Sequence, residues 1–198
     1  NKVNLKYRIK VEKYNEPLDD SKFQLHHRDT PGYGSFSELV QAATLAMSTG
    51  MLIPPLVGHQ APWVVLNAID GQAVDLAQVD AQVVILEFWA TWCGPCRPRL
   101  RHVQHLHHWA EQNDKSVAVY AINQNEAAAQ VKAFWSNAGF TMPTLLDPGS
   151  IVGQKYGTVS IPVTAVINRG KVAYIYRSAI VSYQEFQDRI EGLLDSNE

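Results

Sequence analysis

Hydrophobic and polar positions change their period several times along the chain. Val3, Leu5, Tyr7, Ile9 and Val11 alternate with polar residues, the period-two mark of a half-buried strand. The turn-like "NEPLDDS" follows, then a second candidate strand around "KFQLHH" and the breaker-rich "RDTPGYG". "SFSELVQAATLAMSTG" carries an apolar stripe between Ser35 or Ser37 as N-cap and Gly50 as stop, which predicts a helix. "IPPLVGHQAP" reads as a linker, so a domain boundary is placed near Pro55–Gly58. Residues 1–56 are an N-terminal extension to which no chemistry can be assigned, and residues 57–198 form the second unit.

From there the pattern becomes strand, helix, strand. "VVLNAIDGQAVDL" predicts a hairpin turning at "IDGQ", and "QVVILEFWA" is a continuous apolar run of the kind found inside a sheet covered on both faces. Cys93 to about Gln112 is expected to be helical and "SVAVYAIN" to be a buried strand. "NEAAAQVKAFWSNAGF" predicts a helix with Asn123 or Asn125 as cap. Next come a short strand at "PTLLD", a short helix at "GSIVGQKYG" stopped by Gly157, and a hairpin of "PVTAVI" and "VAYIYR" across "NRGK". "SYQEFQDRIEGLLD" closes the chain as an amphipathic helix with Phe186, Ile190, Leu193 and Leu194 on one face. Such alternation implies an α/β fold, a central sheet flanked by helices.

Composition narrows the classes. With 46% hydrophobic and 18% charged residues, the 198-residue chain has the balance of a globular protein. A formal charge of -2 gives no electrostatic reason to expect a nucleic-acid partner. No apolar run reaches the ~18 residues of a membrane span. The chain opens "NKVNLKYRIK", with neither an initiator Met nor a signal-peptide core, which fits a mature or trimmed chain, so membrane attachment is expected only through an anchor since removed.

The two cysteines, Cys93 and Cys96, are too close in sequence to staple a fold, so their pairing reads as reactivity or metal binding. Cys93 falls at the predicted first turn of a helix, where the helix dipole and Arg97, Arg99 and Arg101 favour a thiolate. Gly94 is expected to permit a tight entry, and Pro95 suits a first helical turn that needs no donor there. Cys96 lies about one turn on, on the same side and less exposed. The spacing fits a redox dithiol that closes a small-ring disulfide and opens by exchange. A competing possibility is a metal-handling, copper-binding protein that uses the thiols with His59 or with His102, His105, His107 and His108, although a His-rich polar helix face is the better explanation of the last four. A third is a binding module whose N-terminal extension recognises a partner or dimerises.

"FWATWCGPC" with its preceding strand resembles the active-site signature of the thioredoxin superfamily. The flanks "VGHQAPWVVLNAIDGQAVDLAQVDAQVVILEFWATWCGPC" and "MPTLLDPGSIVGQKYGTVSIPVTAVINRGKV" resemble the TlpA/ResA/DsbE-like thiol–disulfide oxidoreductases, over roughly Val57 to Leu194. The resemblance implies a thioredoxin-like fold with an inserted strand–helix segment and a redox-active disulfide in place of a bound cofactor. It further implies protein thiol or disulfide substrates, an upstream dithiol donor, and a bacterial periplasmic or other extracytoplasmic location. By the same resemblance Cys93 is the nucleophilic thiol and Cys96 the resolving thiol. Pro162 is the proline in a cis bond with Ile161, and Trp92, Gly94, Pro95, Ile161 and Pro162 form the substrate-facing surface.

The chain departs from thioredoxin at two places. Val163 and Thr164 follow the cis-proline where thioredoxins usually have threonine first. Arg101 stands where thioredoxins kink the active-site helix with proline, while Pro98 comes only two residues after Cys96. Pro98 cannot donate to the carbonyl of Gly94, so an irregular or 3₁₀ first turn is expected near the thiols. Glu87, six residues before Cys93, aligns with thioredoxin's buried acid. Among Leu86, Phe88 and Trp89 it is expected to be buried without a cationic partner, to have a raised pKa, and to accept the Cys96 proton.

Overall fold

The structure is a computed structural model that describes residues 56–177 and 182–196. The strands and helix expected within residues 1–50 lie outside the described residues. Seven strands form one mixed sheet: β1 (Val65–Ala68), β2 (Ala73–Asp75), β3 (Val83–Trp89), β4 (Val117–Gln124), β5 (Thr144–Asp147), β6 (Val163–Asn168) and β7 (Lys171–Tyr176). Their spatial order is β2-β1-β5-β4-β3-β6-β7. Among the described residues four α-helices accompany them: α1 (Cys96–Gln112), α2 (Ala128–Ala138), α3 (Ile151–Lys155) and α4 (Tyr183–Asp195).

The apolar run at "VVILEFW" becomes β3, buried at every position, because it has a strand on each side. It pairs in parallel with β4 and antiparallel with β6. Alternation then sends its side chains to opposite faces. Val83, Ile85 and Trp89 enter one core with Leu100 and Val103 of α1, Val131 and Trp135 of α2, and Phe186 and Ile190 of α4. Val84, Leu86 and Phe88 enter the other with Val152 of α3 and Tyr156. At roughly 1.5–3 kcal/mol for each large apolar side chain buried, this strand can carry one enclosed acid.

Turn chemistry sets the hairpins. Arg169 and Gly170, both at positive φ, join β6 to β7 by the two-residue turn that "NRGK" predicts. Helix α4 starts where Ser182 accepts from the backbone N–H of Glu185 at 3.2 Å. Two helix starts differ from the sequence expectation. Helix α1 begins at Cys96, three residues later than expected, because the segment from Thr91 to Pro95 is spent on turns. Helix α2 begins after Ala127, which offers no side-chain cap; Asn123 lies inside β4 and Asn125 serves another bond.

Candidate active site

Strands β3 and β6 are antiparallel neighbours, and their register pairs Phe88 with Val163. The C-terminal end of β3 and the N-terminal end of β6 therefore lie at the same edge of the sheet. The first leads into Thr91–Cys96, and the second is preceded by Ile161–Pro162, joined by a cis peptide bond. This is how segments some 65 residues apart in sequence come to share one site. Ile161 packs on the core cluster that contains both cysteines.

Cys93 and Cys96 are joined in a disulfide with their Cα atoms 5.3 Å apart. Cys93 is the more accessible of the pair, as expected, yet only 3% of it is exposed and none of Cys96. The expectation of an exposed Cys93 thus fails for the oxidised form: the turn folds back as Cys93 N–H donates to Ala90 O at 3.1 Å. Trp92, at 72% exposure, is the large apolar side chain that the turn offers outward. Gly94 and Pro95 are exposed beside it. A Cβ on Gly94 would meet nothing within 4 Å, so this turn does not require glycine there, contrary to the tight-entry expectation. Pro95 is the capping residue, in the right-handed helical region.

The irregular first turn expected from Pro98 is present. The carbonyl of Gly94 accepts from Arg97 N–H at 3.2 Å, and that of Cys93 from Cys96 N–H at 3.2 Å, both three residues apart. The bond that Pro98 cannot make is replaced by one from its predecessor.

Glu87 is fully buried, on the face of β3 that carries Val83, Ile85 and Trp89 and looks toward α1. Its register partner on β6 is Thr164, whose Oγ1 donates to Glu87 Oε2 at 2.5 Å. Thr164 Oγ1 in turn accepts from Arg99 Nη1 at 3.1 Å. Burial pushes the Glu87 carboxyl from 4.5 up to about 8, against the lowering effects of the Arg99 guanidinium and the Thr164 hydroxyl. The expected burial and raised pKa are present. The expected lack of a cationic partner is not: Arg99 is buried and turned inward, while Arg97 and Arg101 stay exposed. Arg97 lies 5.9 Å from the Phe134 ring centroid.

Sequence reasoning missed Glu126. Its carboxylate accepts four hydrogen bonds, from Thr91 N–H (2.7 Å), Thr91 Oγ1 (2.5 Å), Asn123 Nδ2 (2.7 Å) and Gln130 Nε2 (2.6 Å). It therefore clamps the turn that presents Trp92 and Cys93 onto the end of β4 and the first turn of α2. The histidines are engaged elsewhere. His102 and His105 meet the Tyr183 ring edge-on, His107 faces Glu111 at 3.4 Å, and His108 bonds Thr141 at 2.9 Å. Among the described residues no three His, Cys, Asp or Glu side chains converge as a metal site would require. No described helix is long and apolar enough to cross a membrane.

Residues 56–187 match the Redoxin family. The chain is 31% identical to the thioredoxin-like protein YneN of Bacillus subtilis over 137 residues, 68% of this chain and 78% of that one. It is 29% identical to the thiol-disulfide oxidoreductase ResA of Halalkalibacterium halodurans over 137 residues, covering 68% and 77%. In structure it is similar to a secreted thiol-disulfide isomerase from Corynebacterium glutamicum, with a TM-score of 0.62 and 25% identity over 69% of this chain and 86% of that one.

Proposed function

The chain belongs to the Redoxin family, with a thioredoxin-like fold, and from that premise we infer a thiol–disulfide oxidoreductase that works through a mixed disulfide. The observation that carries this reading is the Cys93–Cys96 disulfide, set between the end of the buried strand β3 and the first turn of α1. The disulfide is the redox element.

In the reductive direction, Cys93 as thiolate attacks a protein disulfide, forms a mixed disulfide and releases one substrate thiolate. Cys96 then attacks Cys93 Sγ, the second substrate thiolate leaves, and the Cys93–Cys96 bond re-forms. Glu87 takes the Cys96 proton in that step. When an upstream dithiol reduces the enzyme, the proton returns to Cys96. Trp92, Gly94, Pro95 and the Ile161–Pro162 segment form the surface on which an extended substrate lies. The exposure of Trp92, Gly94 and Pro95 supports this placement.

Further features follow the same reading. The Gly94-Pro95 pair favours reduction. Strand β5 and α3 correspond to the inserted strand–helix segment. Residues 57–198 form the catalytic domain, and residues 1–56 an extension of separate role. A secreted relative supports an extracytoplasmic setting.

Dithiol-dependent insulin reduction tests the mechanism. Cys93→Ser is expected to abolish it, and Cys96→Ser to accumulate mixed disulfides that mass spectrometry detects. Undiminished turnover in Cys93→Ser would overturn the reading. The direction is read from the Cys93–Cys96 potential against glutathione, expected near about -270 mV; a value near about -120 mV would assign oxidation.

A further inference from the structure

We propose that Arg99 and Thr164 are positioning residues that restrict Glu87 to one oxygen, Oε1, for proton exchange with Cys96. The inference rests on the oxidoreductase reading and deepens its proton-transfer step. It starts from donor and acceptor inventory. A guanidinium can only donate. Since Arg99 Nη1 bonds Thr164 Oγ1, that oxygen is the acceptor, and its single hydrogen is left for Glu87 Oε2. An ionised carboxylate can only accept, so while Glu87 is ionised the order runs Arg99 to Thr164 to Glu87 and Oε2 is engaged. The oxygen left to receive a proton is then Oε1. That atom is buried and has no hydrogen-bond partner among the described residues.

Placement supports the assignment. Cys96, Arg99, Leu100 and Val103 follow the spacing of one helix face, and all four are buried. Glu87 and Thr164 are cross-strand neighbours on the sheet face beneath them. Strand β4 sets Ala121, without charge, beside Glu87. Helix α4 contributes Phe186 and Ile190 to this core. Arg99 is the charge that acts on the carboxyl from α1.

The step balances. Cys96 gives its proton to Glu87 Oε1 as its sulfur forms the bond to Cys93 Sγ. The bond from Cys93 to the substrate sulfur breaks, and the substrate leaves as thiolate with that electron pair. Glu87 ends neutral, and the enzyme ends as the disulfide.

The test follows the full chain in two readouts: the pH profile of mixed-disulfide resolution, and the titration of the Glu87 side-chain carboxyl carbon by NMR. Arg99→Met is expected to raise both midpoints by about one pH unit or more. Below the midpoint, that slows resolution by about tenfold per pH unit of displacement. Thr164→Val moves both midpoints in the same direction, and Thr164→Ser, which keeps the hydroxyl, restores them. Unchanged midpoints in folded Thr164→Val and Arg99→Met would overturn the proposal, as would a resolution profile that ignores the titration of Glu87. The oxidoreductase reading fails separately, if the reduced wild-type chain exchanges with no disulfide at any pH.

Discussion

A carboxyl group enclosed at the centre of a sheet ties protonation to folding. Glu87 titrates near 4.5 when unfolded and about 8 when buried, so between those values the native chain holds a proton that the unfolded chain has lost. Its contribution is therefore fully present below about pH 4.5 and is lost as pH rises toward about 8, with a slope approaching about 1.4 kcal/mol per pH unit. Glu87→Gln is expected to flatten this slope in urea unfolding at about pH 5, 7 and 9, and to slow mixed-disulfide resolution by roughly 10²-fold or more. A wild-type stability that rises over this range would contradict the assignment. Glu126 acts differently, by holding the Thr91 turn. Glu126→Ala is expected to cost about 1.5–3 kcal/mol and to speed hydrogen exchange at the Thr91 amide; an equally protected Thr91 would refute the clamp. Of these two acids, only Glu87 was legible in the sequence, because an acid inside an apolar run has one reading. Glu126, in the polar "NQNEAAAQ", looks like any loop acid. Arg99 was grouped with Arg97 and Arg101 as charge favouring the thiolate, yet its spacing from Cys96 and Val103 already puts it on the buried face once the helix start is known.

At the scale of elements, the periodic segments were legible, but the starts of α1 and α2 were not. Strand β3 follows from its apolar run, and the β6–β7 hairpin from "NRGK", because local chemistry decides both. Helix starts depend on which side chains remain available, and that is a tertiary question. Asn123 looked like a cap for α2, but its amide is committed to Glu126 and the residue lies inside β4. Asn125 sits at positive φ and its Oδ1 accepts from Gly149 N–H at 2.8 Å. The cap position falls to Ala127, which already has extended backbone geometry, with φ -69° and ψ 140°. Ala127→Ser would supply the missing acceptor and is expected to stabilise the fold by about 0.5–2 kcal/mol, with disulfide exchange unchanged. A thermal melt checks it, and an unchanged or lower midpoint counts against this cap assignment. Similarly, Gly153 lies inside the segment "GSIVGQKYG" expected to be a short helix, and nothing in the sequence assigned it a role of its own. A Cβ there would come within 2.1 Å of Gln124 Oε1 and 2.4 Å of Thr158 Oγ1, so the glycine marks close packing of α3 on β4.

Across the whole molecule, strand order is what a linear pattern conveys least. Nothing local says that β5 lies between β1 and β4, or that β6 lies beside β3; the α/β class follows from alternation alone, and the order required the family resemblance or the structure. Long-range order also decides what residues 58–61 do, a segment that reads only as linker. Gly58 N–H donates to Val172 O at 2.8 Å, Val172 N–H to His59 O at 2.9 Å, and Ala61 N–H to Gly170 O at 2.8 Å. A bridge joins Gln60 to Lys171. The segment therefore covers the outer edge of β7, which would otherwise present unpaired backbone groups to other chains. A chain starting at Leu56 is expected to unfold cooperatively and to exchange disulfides at the full-length rate. One starting at Pro62 forfeits those three backbone bonds and should melt earlier and self-associate in sedimentation velocity, while its Cys93–Cys96 pair is intact. Loss of exchange in the Leu56 chain would assign residues 1–55 a part in catalysis, and an unaltered, monomeric Pro62 chain would remove the edge-covering role.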